Sequence, residues 1–214
     1  MKLYLLRHGR TLWNEEGRLQ GRTDVPLSDE GRCSALAAGA ALESVPFDAA
    51  FSSPLQRAKE TAELILRGKN IAVQTDVRLM ELGFGAAEGM RLCDLAEEKQ
   101  PTRSLFSDPE HYVPPAGGET YEALVRRCRA FLDERIVSGG EHWTHVLPLE
   151  GTYETVLVVA HGAAVRGFFS AMFGAESGRI YGSRVQKNCA VNVIDCTGGL
   201  FLAERVAKEF CEDV

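Results

Sequence analysis

The residues best placed to do chemistry come early, in Leu5-Leu6-Arg7-His8-Gly9-Arg10-Thr11, where an apolar run stops at an arginine and histidine pair. An imidazole beside a guanidinium suits a nucleophile awaiting an anion. Neutral histidine has a nitrogen lone pair near physiological pH, and arginine offers paired donors to phosphoryl oxygens. A second imidazole, His161, also ends an uninterrupted apolar run, Thr155-Val156-Leu157-Val158-Val159-Ala160, and Gly162 follows it. Arg57 comes just after Ser52-Ser53-Pro54, and Glu81 lies in the glycine-rich stretch Arg78 to Gly85. Each has a plainer reading when taken singly. A histidine at a strand end is usually a hydrogen-bonded structural residue, and a helix arginine is usually solvated charge.

The elements around these residues decide whether they can meet. Lys2 to Leu6 reads as a buried strand, with Gly9 allowing a sharp turn after His8. Gly17 to Leu27 is a long polar loop, and Ser28 is an N-cap followed by Asp29 and Glu30 in a first helical turn. That helix runs to about Ser44. Phe47 to Ser52 is a second strand, and the helix after Pro54 runs to about Arg67 with Arg57 in its first turn. Ile71 to Val77 alternates like a strand that leads into the Glu81 loop. Met90 to Glu98 suggests a short helix, and the proline-rich stretch 99–118 suggests a lid-like excursion within one domain spanning 1–214. Glu119 to Val137 is a strong helix, Ser138 to Glu154 a loop, and Thr155 to Ala160 a strand buried on both faces. A helix from about Ala163 to Met172 and a closing hairpin, Ala190 to Cys196 with Leu200 to Val206, finish the chain. The expected fold is therefore α/β, a three-layer sandwich with a mostly parallel central sheet and helices on both faces. In such sheets the strand ends delivering His8, Arg57 and His161 share one edge, and a fourth strand leads to Glu81.

The chain has 214 residues, 45% hydrophobic and 25% charged, enough for one well-buried core. A formal charge of -6 argues against a nucleic-acid binder, although a local basic pocket is compatible with it. Arg7 and His8 interrupt the apolar start before a secretion segment can form, and no membrane span is evident, so a cytoplasmic protein is expected. The six cysteines have no metal-finger spacing and read as reduced thiols. His142 and His145 lack the further ligands that a metal site needs.

Six ordered blocks carry a resemblance. They are Leu6-Arg7-His8-Gly9 with Thr11 and Asn14; Leu19-Gln20-Gly21 with Asp24-Val25-Pro26-Leu27-Ser28 and Gly31; and Ser52-Ser53-Pro54-Leu55-Gln56-Arg57-Ala58 with Thr61-Ala62. The others are Leu79-Met80-Glu81 with Phe84-Gly85 and Glu88-Gly89; Gly117-Gly118-Glu119-Thr120; and Val158-Val159-Ala160-His161-Gly162. The chain resembles the histidine phosphatase superfamily in its phosphoglycerate mutase-like branch, from Lys2 to about Val206. The resemblance implies that His8 is a nucleophile that becomes phosphohistidine and that Glu81 is the general acid and later the base. It implies a phosphate clamp of Arg7, Arg57 and His161, with no cofactor and no metal. Thr11, Asn14, Gln20, Gly21 and Gly162 are further substrate-binding candidates, with Arg10 and Arg22 adding charge at the rim. Acid work by Glu81 calls for an apolar or acidic setting around its carboxyl. Glu88 is a rival acid that fits a structural role.

The resemblance leaves three readings. The favoured one is a phosphatase acting on a small phosphorylated metabolite. The second is a phosphoglycerate mutase, which must exclude water and hold its intermediate. Only about thirty-five residues separate Glu81 from Gly117, with Arg91, Lys99 and Arg103 as the bases, whereas the mutases resembled carry a longer basic insertion. The third reading is a binding protein on the same fold without catalysis. Two departures bear on specificity: Ala87 stands where tryptophan is common before Glu-Gly, and Arg10 replaces an acidic or amide residue. Oligomeric state is left open, a homodimer being one option.

Overall fold

Alternating apolar side chains on the central strands set the layering. In the computed structural model, which describes residues 1–94, 104–105, 108–136, 153–174, 186–196 and 201–208, Lys2–Arg7 (β1) leads into the short helix Leu12–Glu15 (α1) and then Asp29–Ala41 (α2). Ala49–Ser52 (β2), Gln56–Ile65 (α3) and Val73–Thr75 (β3) follow, then Tyr121–Arg135 (α4), Thr155–Ala160 (β4), Gly162–Phe173 (α5), Val191–Asp195 (β5) and Leu202–Lys208 (β6). The six strands form one sheet in the order β3-β2-β4-β1-β5-β6. β3, β2, β4 and β1 are parallel, β5 runs antiparallel to β1, and β6 pairs antiparallel with β5.

Leu3, Leu5, Phe51, Val156 and Val158 face α4 and α5, where Leu124, Phe131, Phe168 and Phe169 meet them. Their neighbours Leu6, Ala50, Leu157 and Val159 face the other way, onto Ala35 and Ala38 of α2 and Ala58, Ala62 and Ile65 of α3. A strand buried on both faces must be apolar throughout, which is why β4 lacks the alternation of a half-exposed strand. The layering is the expected three-layer sandwich, and the hairpin, the strong helix after Glu119 and both strands ending in histidine lie where the sequence puts them.

Several boundaries differ for identifiable reasons. β3 stops at Thr75 because the Asp76 side chain accepts the Arg78 N–H at 2.9 Å and turns the chain into a 3-10 turn at Val77–Leu79. Thr11 and Asn14 form a reciprocal capping box that nucleates α1, a helix not expected between the His8 loop and Gly17. Gly9 is required by a close approach rather than by its own torsion angles. A Cβ there would lie 2.7 Å from the Gly31 carbonyl oxygen, at the start of α2. Of the expected helix at 90–98 the described part is a 3-10 turn, Leu92–Asp94, and residues 95–98 lie outside the described residues. Parts of the 99–118 excursion, most of the loop 138–154 with His142 and His145, Cys211 and the hairpin turn 197–199 also lie outside them. No described helix is long and apolar enough to cross a membrane.

Candidate active site

Because β2, β4 and β1 are adjacent and parallel, their C-terminal ends open onto the same edge. β1 delivers Arg7 and His8, β4 delivers His161, and β2 leads through Ser53 and Pro54 to Arg57 in the first turn of α3. β3 continues into the loop that carries Glu81. A cavity of about 170 Å³ lies there, lined in part by Arg7, His8, Arg57, Glu81 and Gly162.

His8 is 2% exposed, and its Nδ1 lies 2.6 Å from the carbonyl oxygen of Gly9. A carbonyl only accepts, so Nδ1 carries the proton and Nε2 keeps the lone pair. Burial, then the charges of Arg57 and Arg7, hold the His8 pKa well below 6.5, against the opposing pull of the Gly9 carbonyl. The ring is therefore neutral at physiological pH. The His161 ring centroid is 5.0 Å from that of His8, and burial, followed by Arg57 and His8, depresses its pKa in the same direction. Both His161 nitrogens are buried without a hydrogen-bond partner.

Arg57 is fully buried, and a guanidinium in that position costs several kcal/mol unless its donors are met. Two are met by loop carbonyls, Nη1 donating to Thr23 at 2.8 Å and Nη2 to Gly21 at 2.7 Å. Its Nε is left unpartnered. Burial lowers the Arg57 pKa to about 10, which leaves it cationic at neutral pH. The Arg7 guanidinium donates to the Gln186 carbonyl, and its Nε is likewise buried and unpartnered. Gln20, on the cavity wall, adds an unpartnered Oε1.

Glu81 is in a donor-rich setting, not the apolar or acidic one its acid role calls for. Its Oε1 accepts the N–H groups of Leu82 at 2.9 Å and Ala164 at 3.0 Å, and its Oε2 accepts that of Ala163 at 3.2 Å. The carboxylate thus caps the N-terminus of α5, whose own N-cap residue, His161, makes no side-chain cap. Glu88 is structural: its two oxygens take the N–H groups of Arg22, Phe84 and Thr23 and the Thr23 hydroxyl, clasping the 20–24 loop to the 83–89 loop.

The other candidates divide. Asn14, Gln20, Gly21 and Gly162 line the cavity. Thr11 does not, being fully buried as the cap of α1. Arg10 also stands off the cavity, half exposed and 3.5 Å from Glu15. Arg22 lies on a neighbouring cleft of about 330 Å³, shared with Gly117, Gly118 and Glu119, and pairs with Glu119 at 3.2 Å. Arg18 and Leu92 line the cavity without having been singled out, and Leu19 and Phe84, quoted only as parts of the matching blocks, line it as well; for Arg18 the signal was its place just before Leu19-Gln20-Gly21. Arg127 on α4 was missed as well. It ion-pairs with Glu119 at 2.8 Å and donates to the carbonyls of Arg78 at 2.6 Å and Glu81 at 3.1 Å, which fixes the Glu81 loop.

Fold and pocket together define an α/β enzyme with paired histidines and arginines converging on an anion-sized cavity. The chain belongs to the histidine phosphatase superfamily (branch 1), whose family model matches residues 3–209. On that membership it is an enzyme of the histidine phosphatase type. It is 30% identical over 181 residues to phosphoserine phosphatase 1 of Hydrogenobacter thermophilus, covering 85% of this chain and 80% of that one. A protein of Salmonella typhi described as a probable phosphoglycerate mutase is 31% identical over 214 residues, covering 100% of this chain and 94% of its own. The alpha-ribazole phosphatase of Shigella flexneri superposes with a TM-score of 0.78 at 26% identity, covering 100% and 99%.

Proposed function

We propose that this chain is a metal-independent phosphomonoester hydrolase that works through a phosphohistidine at His8 on a small anionic metabolite. The observation that carries the reading is the set of buried, unpartnered polar atoms on Arg7, Arg57 and His161 around a neutral imidazole. Buried donors left unmatched beside a cavity are of the kind that a bound acceptor satisfies. The phosphoryl group supplies such acceptors.

In the first step Nε2 of His8 attacks phosphorus, the N–P bond forms and the ester P–O bond breaks, and the leaving oxygen takes a proton that the monoanionic ester brings in and the Glu81 carboxylate relays. In the second, water attacks the phosphohistidine, its proton passes to Glu81, and the N–P bond breaks to release inorganic phosphate. Arg7 and Arg57 hold the phosphoryl oxygens, and the neutral His161 ring donates its one N–H to the same group. Asn14, Gln20, Gly21 and Gly162 shape the wall around it, with Arg10 and Thr11 acting at a distance through the loops they hold. The cavity suits a phosphoryl group and a few further atoms, and the adjoining cleft with Arg22 is where a longer substrate extends. One catalytic domain in the cytoplasm accords with the thiols of Cys33, Cys93, Cys128 and Cys196.

The test is hydrolysis of 4-nitrophenyl phosphate in the presence of a chelator, with acid-labile, base-stable protein phosphate trapped by rapid quench. Both signals are expected in the wild type and neither in His8→Ala; turnover that survives His8→Ala overturns the reading. The full-length likeness to the Salmonella protein favours a mutase as the second reading. It predicts interconversion of 2- and 3-phosphoglycerate, primed by a trace of bisphosphate, with little free phosphate released.

A further inference from the structure

The segment just before β5 wraps the His8 loop, and its hydrogen bonds fall on the successive carbonyls of Arg7, His8 and Gly9. The Nδ2 of Asn188 lies 2.9 Å from the carbonyl oxygen of His8, 3.2 Å from that of Gly9 and 3.4 Å from Oδ1 of Asn14. The two carbonyls can only accept, and Asn14 Oδ1 already accepts the N–H and hydroxyl of Thr11. The Asn188 amide therefore points its NH2 group inward. Beside it, Cys189 has φ of 56°, left-handed for a residue with a side chain, and its N–H donates to the Arg7 carbonyl at 3.0 Å. The backbone is bent to keep Asn188 against the His8 loop.

The Gly9 carbonyl that accepts from Asn188 is the one that accepts the Nδ1 proton of His8 at 2.6 Å. Its oxygen has two lone pairs, so both donors fit at once. The Gly9 N–H on the other side is tied to the Thr61 hydroxyl at 2.9 Å, and the following peptide, packed against Gly31, takes these two donors on its oxygen. A peptide following glycine rotates easily when it is not held. We infer that Asn188 is a positioning residue that locks the Gly9 carbonyl and so sets the tautomer of the His8 nucleophile. This goes beyond the roles assigned to the cavity residues and rests, for its kinetic part, on His8 being the nucleophile.

The experiment compares wild type with Asn188→Leu, which keeps volume and removes the donors, and with Asn188→Ser, which withdraws the donor without adding bulk. Long-range 1H–15N correlation spectra, with the His8 signal assigned by its loss in His8→Gln, report which ring nitrogen is protonated. The wild type is expected to show His8 protonated at Nδ1. The variants are expected to show a substantial Nε2-protonated fraction, a fall in kcat of about tenfold or more, and a KM changed by less than about threefold, since orientation of the nucleophile acts on the chemical step. Retention of the Nδ1 proton in the folded variants overturns the inference, as does a full kcat alongside a changed tautomer. Should the wild type turn over no phosphate ester, the phosphatase reading fails by itself, and the spectra still decide the role of Asn188.

Discussion

The carboxylate of Glu81 caps the helix that His161 begins, accepting the backbone N–H groups of Ala163 and Ala164 at 3.2 and 3.0 Å. Two of the proposed catalytic side chains thereby share one helix terminus. Asp24 does the same for α3, accepting the Gln56 N–H at 2.8 Å where Leu55 has no side chain able to cap. In both cases the loop that closes the site also supplies the missing cap, so site assembly and helix termination are one event.

Glu81→Ala should lower kcat on an alkyl phosphate by about 10²- to 10⁴-fold, the usual range for removing a general acid. The loss in the first step should be far smaller with 4-nitrophenyl phosphate, because nitrophenolate leaves without needing a proton. A burst of nitrophenolate followed by slow turnover is the expected record in a stopped-flow trace. Melting temperature should also fall, as a lost cap typically costs about 1 kcal/mol.

Stability should decrease on acidification below pH 6.5. His8 and His161 both have folded pKa values below that of the unfolded chain, so in this window the unfolded state binds more protons than the folded one. Their contribution is fully present above pH 6.5 and is lost as pH falls toward the folded values, by up to about 1.4 kcal/mol per pH unit for each histidine. Urea midpoints measured from pH 7.5 to 5.5 should fall more steeply in the wild type than in the double variant His8→Gln, His161→Gln.

Gly31→Ala should lower activity although residue 31 does not line the cavity. A Cβ there would lie 2.0 Å from the Arg10 carbonyl oxygen, within backbone that turns the His8 loop, and backbone cannot swing aside as a side chain can. The expected outcome is a kcat/KM lowered by at least about tenfold, with an upfield or downfield shift of the His8 ring resonances in the folded protein. Unchanged kinetics would show that the α2 start and the His8 loop are not coupled.

Arg57→Lys should not preserve function. An ammonium cannot donate to the Gly21 and Thr23 carbonyls and still present a planar donor to the cavity. Loss of one preorganised donor costs about a hundredfold or more in rate. Steady-state kinetics should show most of the loss in kcat, and weaker protection from thermal unfolding by inorganic phosphate.

The architecture was legible because its signals are local. Ser28 followed by two acids marks a helix start, the unbroken β4 run marks a strand buried on both faces, and each histidine stands where apolarity ends. The central site set was legible for the same reason, since His8, Arg57 and His161 each follow a parallel strand. Arg10 stands away from the cavity, because a charge next to a site residue in sequence can point away from it in space, while Arg22 lies on the adjoining cleft. Arg127 and Asn188 were invisible, since the backbone carbonyls they hold are 46 to 180 residues away and an amide donor carries no pattern of its own.

By itself the sequence determined the layers, the strand ends and the kinds of side chain brought to them, all consequences of periodicity and capping over a few residues. Tertiary structure alone decided which nitrogen of His8 is free, that Glu81 caps the helix His161 begins, and that the arginine donors stay unmatched. Those outcomes depend on the direction of single carbonyls and on burial, which exist only once distant loops have closed on one another.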